Sequence, residues 1–295
     1  VAAAPGHVHA LVNRGELLAQ LGRRDAAIRD FGRAAELDPR NADAPFGLGT
    51  LLFAEGHPAE AAAAFERAGK ADPRFAAAHF NAGIAHQESG DAARAVACYD
   101  AVLRLDPRHA LALGNRGVAL QRLQRHAEAL RSLDAAVALA AQSAEAHFNR
   151  GVSLQALGDL RAALASFERA TSLDAGLAEA HNNCAVVLED LGELEAALAA
   201  FRRAHALKPG LRGLAGSIFF LEQRLCIWEG YAAKTAAITA GLAAGEEVTL
   251  PFPVIVHAEA RATLNRACTL HAEGLSRLAG PVRSLAPRRP APKLR

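Results

Sequence analysis

Five asparagines share one column of this sequence: Asn13, Asn81, Asn115, Asn149 and Asn183, set 34 residues apart with one double step where Gly47 stands. A carboxamide offers one acceptor and two donors. A row of them can pair with the amides and carbonyls of an extended polypeptide without reading its side chains. A second reading stands beside this one: the same groups could satisfy hydrogen bonds between neighbouring helices. Other chemistry has little to build on. There is no GxxxxGK phosphate cradle, no GxSxG elbow and no GxGxxG dinucleotide loop. His79, His147 and His181 recur in register, which argues for packing, and they lack HExxH spacing. The expectation is no catalytic residue, no metal ligand and no cofactor in this chain.

The elements that would hold such a column follow from a repeat of 34 residues. Gly15, Gly49, Gly83, Gly117 and Gly151 keep that step, as do Ala27, Ala61, Ala95, Ala129, Ala163 and Ala197. Phe31, Phe65, Tyr99, Leu133, Phe167 and Phe201 form a third series, and Pro39, Pro73, Pro107 and Pro209 a fourth. A fifth runs Gly22, Gly56, Gly90, Gly158 and Gly192, with Gln124 as its exception. In 76–109, His79, Gly83 and His86 lie along one stripe of a first helix. Gly83 lets a second helix approach, Ala95 is its small counterpart, and Tyr99 fills the remaining gap. Gly90 ends the first helix in the left-handed region, Asp91 caps the second, and Pro107 closes it.

These columns resemble the tetratricopeptide (TPR) family, whose unit is a helix–turn–helix of 34 residues. With each Pro at position 32, the copies are 8–41, 42–75, 76–109, 110–143, 144–177 and 178–211, and Pro5 places Val1–His7 with a preceding copy. The resemblance implies an all-α, right-handed solenoid in which copies stack because one pair cannot bury its apolar face alone. The Asn column is position 6, two steps or about 200° from the glycine stripe, and is expected on the concave face. Asparagine ladders of this kind are a feature of the TPR superhelix of protein O-GlcNAc transferases, where they hold acceptor polypeptide. A chaperone-type carboxylate clamp is disfavoured, since position 5 holds no Lys and position 9 no Asn.

Composition agrees. The 295 residues carry 33 Lys+Arg against 31 Asp+Glu, a net charge of +2 that gives no field for nucleic acid or an anionic membrane. Apolar residues make up 51% and aromatics 5%, which suits Ala-rich helices at close quarters. No apolar run approaches the ~18 residues of a membrane span. Four cysteines, Cys98, Cys184, Cys226 and Cys268, lie far apart without a CxxC pair, pointing to a reducing, cytoplasmic setting. Methionine is absent, so Val1 is not read as a translation start and the sequence is expected to be a piece of a longer polypeptide.

The period stops after Leu211. Residues 212–230 read as a capping helix, 231–280 as a mostly helical linker module containing LPFPVIV (Leu250 to Val256), and 281–295 as a basic, Pro-rich linker with five basic and no acidic residues. The order of Cys226, Trp228, Tyr231, Pro251 and Phe252 is similar to the junction between TPRs and catalytic domain in bacterial O-GlcNAc-transferase-like and SPINDLY-like glycosyltransferases, with Ile227 where that family writes Asp. The resemblance implies a parent enzyme that transfers a sugar from UDP-GlcNAc to Ser or Thr of proteins, its catalytic domain lying beyond Arg295. The partners expected are extended segments of acceptor proteins bound along Asn13, Asn81, Asn115, Asn149 and Asn183, with a homodimer left open and neither nucleic acid nor membrane involved. The rival reading is a non-catalytic TPR adaptor for complex assembly or secretion.

Overall fold

Ala-rich segments of 13 or 14 residues alternate with short turns, and each folds as one helix. The computed structural model describes residues 5–211 and 213–244. Fourteen helices and no strands occur among them: α1 (Pro5–Gln20), α2 (Arg24–Leu37), α3 (Asp43–Ala54), α4 (Pro58–Ala71), α5 (Ala76–Glu88), α6 (Ala92–Leu105), α7 (Ala110–Arg122), α8 (His126–Leu139), α9 (Ala144–Ala156), α10 (Leu160–Leu173), α11 (Ala178–Asp190), α12 (Leu194–Leu207), α13 (Leu214–Arg224) and α14 (Tyr231–Ala243). They divide into two units that part after Ala175. In the first, α1 to α10 pack each on the next in sequence, and α1 also touches α3, α5 touches α7, and α7 touches α9. The odd helices therefore form one layer and the even helices another. In the second unit α11 pairs with α12, α13 packs on α12, and α14 on α13.

The columns do what their residue types allow. The six alanines from Ala27 to Ala197 are all 0% exposed, the closest part of each hairpin. Against them Phe31, Phe65, Tyr99, Leu133 and Phe167 of the third series lie over the glycines of the odd helices. A Cβ on Gly83 would stand 2.5 Å from Tyr99 Cε1, and one on Gly151 2.5 Å from Phe167 Cε1. Interiors packed at crystal-like density have no slack for such an atom. The Asp91 carboxylate accepts a hydrogen bond from the Arg94 amide at 3.0 Å, so α6 is capped by its own sequence.

Three local differences from the sequence pattern have physical reasons. Helix α1 starts at Pro5, so residues 5–7 run on into the first helix; a proline has no amide to lose in a first turn. Gln124, the exception among the turn glycines, still adopts φ 59°, and its carboxamide bonds the Gln121 carbonyl at 3.4 Å. The turn geometry is thus set by the hairpin, and this copy carries a side chain in a region that disfavours one. His79 and His147 are latches: each imidazole Nε2 bonds the carbonyl at position 32 of the preceding copy, Pro73 and Ala141, at 3.2 Å.

Gly83→Leu is expected to lower stability by about 1–3 kcal/mol, the usual cost of overfilling a close contact. Thermal or urea unfolding of the variant measures it, and an unchanged midpoint would count against the Gly83–Tyr99 contact as a fixed spacer.

Candidate functional site

The odd-helix layer presents the asparagine column. Asn13 is exposed on α1, whereas Asn81 on α5, Asn115 on α7 and Asn149 on α9 are half-buried. Asn183 holds the same register on α11 of the second unit and is also half-buried. Asn81 lines an open pocket of about 110 Å³ with Thr50 and Phe53 of α3, Ile84 of its own helix and the Phe65 ring beneath. Its carboxamide therefore borders a cleft between two odd helices and does not point out past the even layer. Three residues on, Ile84, Val118 and Val152 are half-buried, so amides alternate with branched apolar groups along this layer.

The rungs are not equivalent. The Asn115 carboxamide lies beside the Tyr99 hydroxyl, which donates to Gln87 Oε1. Burial pushes the Tyr99 phenol well up, and the Asn115 carboxamide opposes that shift. Here the carboxamide faces a side chain of the preceding copy. The Asn149 carbonyl accepts from Gln121 Nε2 at 2.6 Å, which ties α9 to α7 through the backbone and leaves the carboxamide out of that bond.

Gly47, the missing rung, has a steric cause. A Cβ there would come within 2.7 Å of the Phe31 ring, which leans from α2 toward α3. Where a side chain is missing a cavity of about 310 Å³ opens, lined by Phe31, Phe46, Gly47 and Leu51 with Glu16, Gln20, Asp43 and Thr50 at its edge. The Glu16 and Asp43 carboxylates make this part of the layer acidic.

Ion pairs that the sequence pattern did not expose hold the copies in register. Arg116 Nε donates to Asp100 Oδ1 at 2.6 Å and its Nη1 to Ser132 Oγ at 2.5 Å. Arg150 repeats this with Asp134 at 2.6 Å and Ser166 at 2.7 Å. Each guanidinium at position 7 spans an acid of the preceding copy and a hydroxyl of its own. Arg14 grips Asp30 with two bonds of 2.6 Å, holding that carboxyl below its ordinary range. The signal was present as a 16-residue spacing, invisible to a search for periods of 34.

In the second unit, Glu222 of α13 is 3% exposed and accepts from Arg202 of α12 at 2.9 Å and Lys234 of α14 at 2.6 Å. It borders a cavity of about 330 Å³ with Ala215, Ile218, Phe219 and Ile238. After α13, Cys226 is exposed with φ 57°, and the exposed Trp228 ring lies 5.7 Å from that of Tyr231, which in turn meets Phe219 at 5.4 Å. Pro251 and Phe252 lie outside the described residues.

No helix of the described residues is long and apolar enough to cross a membrane. Helix hairpins repeating at 34 residues, five of them closing a bulky side chain over a glycine of the partner helix, define an α-solenoid. The chain belongs to the tetratricopeptide repeat family, whose model matches residues 1–45, 12–74, 46–87, 80–144, 119–160 and 148–211. Among solved structures it is similar to YrrB, described as a TPR protein with an unusual peptide-binding site, at 27% identity over 61% of this chain and 92% of that one, TM-score 0.53. PilW, a widely conserved type IV pilus biogenesis factor, matches at 21% identity over 70% of this chain and 96% of that one, TM-score 0.61. MamA from Desulfovibrio magneticus RS-1 matches at 24% over 57% and 95%, TM-score 0.55. The last two likenesses concern the fold alone. No curated protein sequence matches the chain.

Burial pushes the Glu222 carboxyl up, but the bonds from Lys234 and Arg202 outweigh it and the net shift is downward. A depressed carboxyl contributes stability above its unfolded pKa, ~4.3 for Glu, and loses it as pH falls through the folded value. Packing of α12 to α14, followed through the single Trp228, is expected to weaken below about pH 4 in the native chain and less steeply in Glu222→Gln. Equal acid profiles for the two proteins would contradict this.

Proposed function

We propose that the chain is a protein-binding scaffold whose odd-helix layer captures extended polypeptide through its asparagine carboxamides. The observation that carries this reading is the open cleft beside Asn81, walled by Thr50 and Ile84 and floored by Phe65. A backbone lying there would exchange hydrogen bonds with the carboxamide while its side chains rest on the apolar residues between rungs. The similarity to YrrB, whose description names a peptide-binding site, supports it. Asn13, Asn81 and Asn149 are the working rungs of the first unit; Asn115 turns from the Tyr99 hydroxyl toward the bound chain, and Asn183 acts within the second unit. The acidic cavity at Gly47 favours a Lys or Arg side chain in the captured segment.

Changing Asn81, Asn115 and Asn149 together to Ala is expected to weaken binding of a fluorescently labelled, reduced and carboxymethylated polypeptide by roughly ten-fold or more, at about 1 kcal/mol per lost hydrogen bond. Circular dichroism checks that the variant stays helical. Unchanged affinity in a folded triple variant would remove the ladder.

The finer part of the proposal makes this scaffold the acceptor-recruiting arm of an O-GlcNAc-transferase-like glycosyltransferase working in the cytoplasm, its catalytic domain following residue 295. It rests on the order of Cys226, Trp228, Tyr231, Pro251 and Phe252 after the repeats, and, for the compartment, on cysteines spaced far apart without a CxxC pair. Holding an acceptor segment beside a catalytic domain raises its effective concentration there. The rival is an adaptor that binds the same segments and transfers nothing. The full-length protein incubated with labelled UDP-GlcNAc and a bound acceptor is expected to place sugar on Ser or Thr. Capture without transfer would leave the adaptor standing.

A further inference from the structure

Copy 76–109 departs from its sisters at three places that meet in space. At position 11 the other five copies carry Leu18, Leu52, Leu120, Leu154 and Leu188, whereas this one carries His86, which is only 4% exposed. At position 23 it has Cys98 where the next two copies have Ser132 and Ser166, and at position 7 it has Ala82 where they have Arg116 and Arg150. In those copies the guanidinium bridges a hydroxyl at position 23 to an acid at position 25 of the preceding copy. Here the corresponding pair is Cys98 and Glu66, and the bridging cation is gone. His86 enters the gap instead, its Nε2 donating to Glu66 Oε1 at 2.9 Å. One ligand atom from each of Glu66, His86 and Cys98 lies within 4.8 Å of the others.

An imidazole in place of a core leucine has to be compensated by its partners, and the partners supplied are a carboxylate and a thiol. We propose that Glu66 of α4, His86 of α5 and Cys98 of α6 bind a divalent cation of the zinc class, which takes the place of the absent guanidinium. Thiolate, imidazole and carboxylate together are a borderline-soft set that suits Zn²⁺ or Co²⁺ and not Mg²⁺ or Ca²⁺. Bond lengths of about 2.0–2.3 Å place tetrahedral ligands roughly 3.3–3.7 Å apart, within reach of side-chain rotations from the present spacing. Glu66 has 32% of its side chain exposed, so water reaches the fourth position from that side. In the free site burial and the Glu66 charge push the Cys98 thiol up to about 11; on binding, its proton leaves to solvent and the sulfur becomes the ligand. The ion would join three consecutive helices and two copies.

Metal-stripped chain titrated with Co²⁺ alone is expected to bind one equivalent with a thiolate-to-cobalt charge-transfer band in the near ultraviolet. Zn²⁺ should displace the band and raise the melting temperature, and a chelator should reverse both. Cys98→Ser and His86→Leu restore residues of sister copies, so both are expected to fold. Each should lose the band and weaken Zn²⁺ binding by about 100-fold or more. No band in the native chain, or a band that survives in Cys98→Ser and so belongs to another cysteine, would overturn the site. The cluster would then be a hydrogen-bonded packing group.

Discussion

A bulky side chain from one helix closed over a bare glycine of its partner is the contact on which the rest of this molecule depends. Tyr99 over Gly83, Phe167 over Gly151 and Leu133 over Gly117 fix how near two helices lie and how they are rotated about their axes. That rotation decides which residues of the odd helices turn toward the open layer. Position 6 reaches it because position 8 is committed to that contact, two residues and about 200° away. The place of the asparagine column is thus a geometric consequence of the packing column.

Much of this was legible in the residues. The period and the left-handed turn at Gly90 follow from side chains with one local role, and Gly90 takes φ 84°. The features that escaped are those in which two residues of different columns meet. The Arg116–Asp100–Ser132 bracket needs a spacing of 16 in both directions. The Phe31 ring leaning toward α3, which leaves no room for a side chain at Gly47, depends on how one copy lies on the next. His86, read from the sequence as part of a packing stripe, and Cys98, read as a small apolar filler, become a cluster only when Glu66 of the preceding copy is brought beside them. Gln124 shows the converse, a turn whose backbone outlasts the residue type that usually makes it.

Repetition also separates what the fold requires from what a copy does for itself. Columns that hold through all copies, such as the buried alanines, serve stacking, since each unit is stable only through its neighbours. Departures confined to one copy carry individual character: the acidic cavity beside Gly47, the Tyr99–Gln87 bond, and the histidine among leucines. After the last repeat Glu222, buried between Arg202 and Lys234, anchors α13 to both neighbours. The exposed Trp228 and Tyr231 beyond it belong to no column.

The most direct test of the account is a nuclear magnetic resonance titration that follows the side-chain amides of Asn81 and Asn149 while an unfolded polypeptide is added. The account predicts selective shifts of those carboxamide signals, together with Ile84 and Val152 on the same layer, while residues of the even helices stay unmoved. Shifts confined to the even helices, with the Asn81 and Asn149 amides unchanged at saturation, would contradict it.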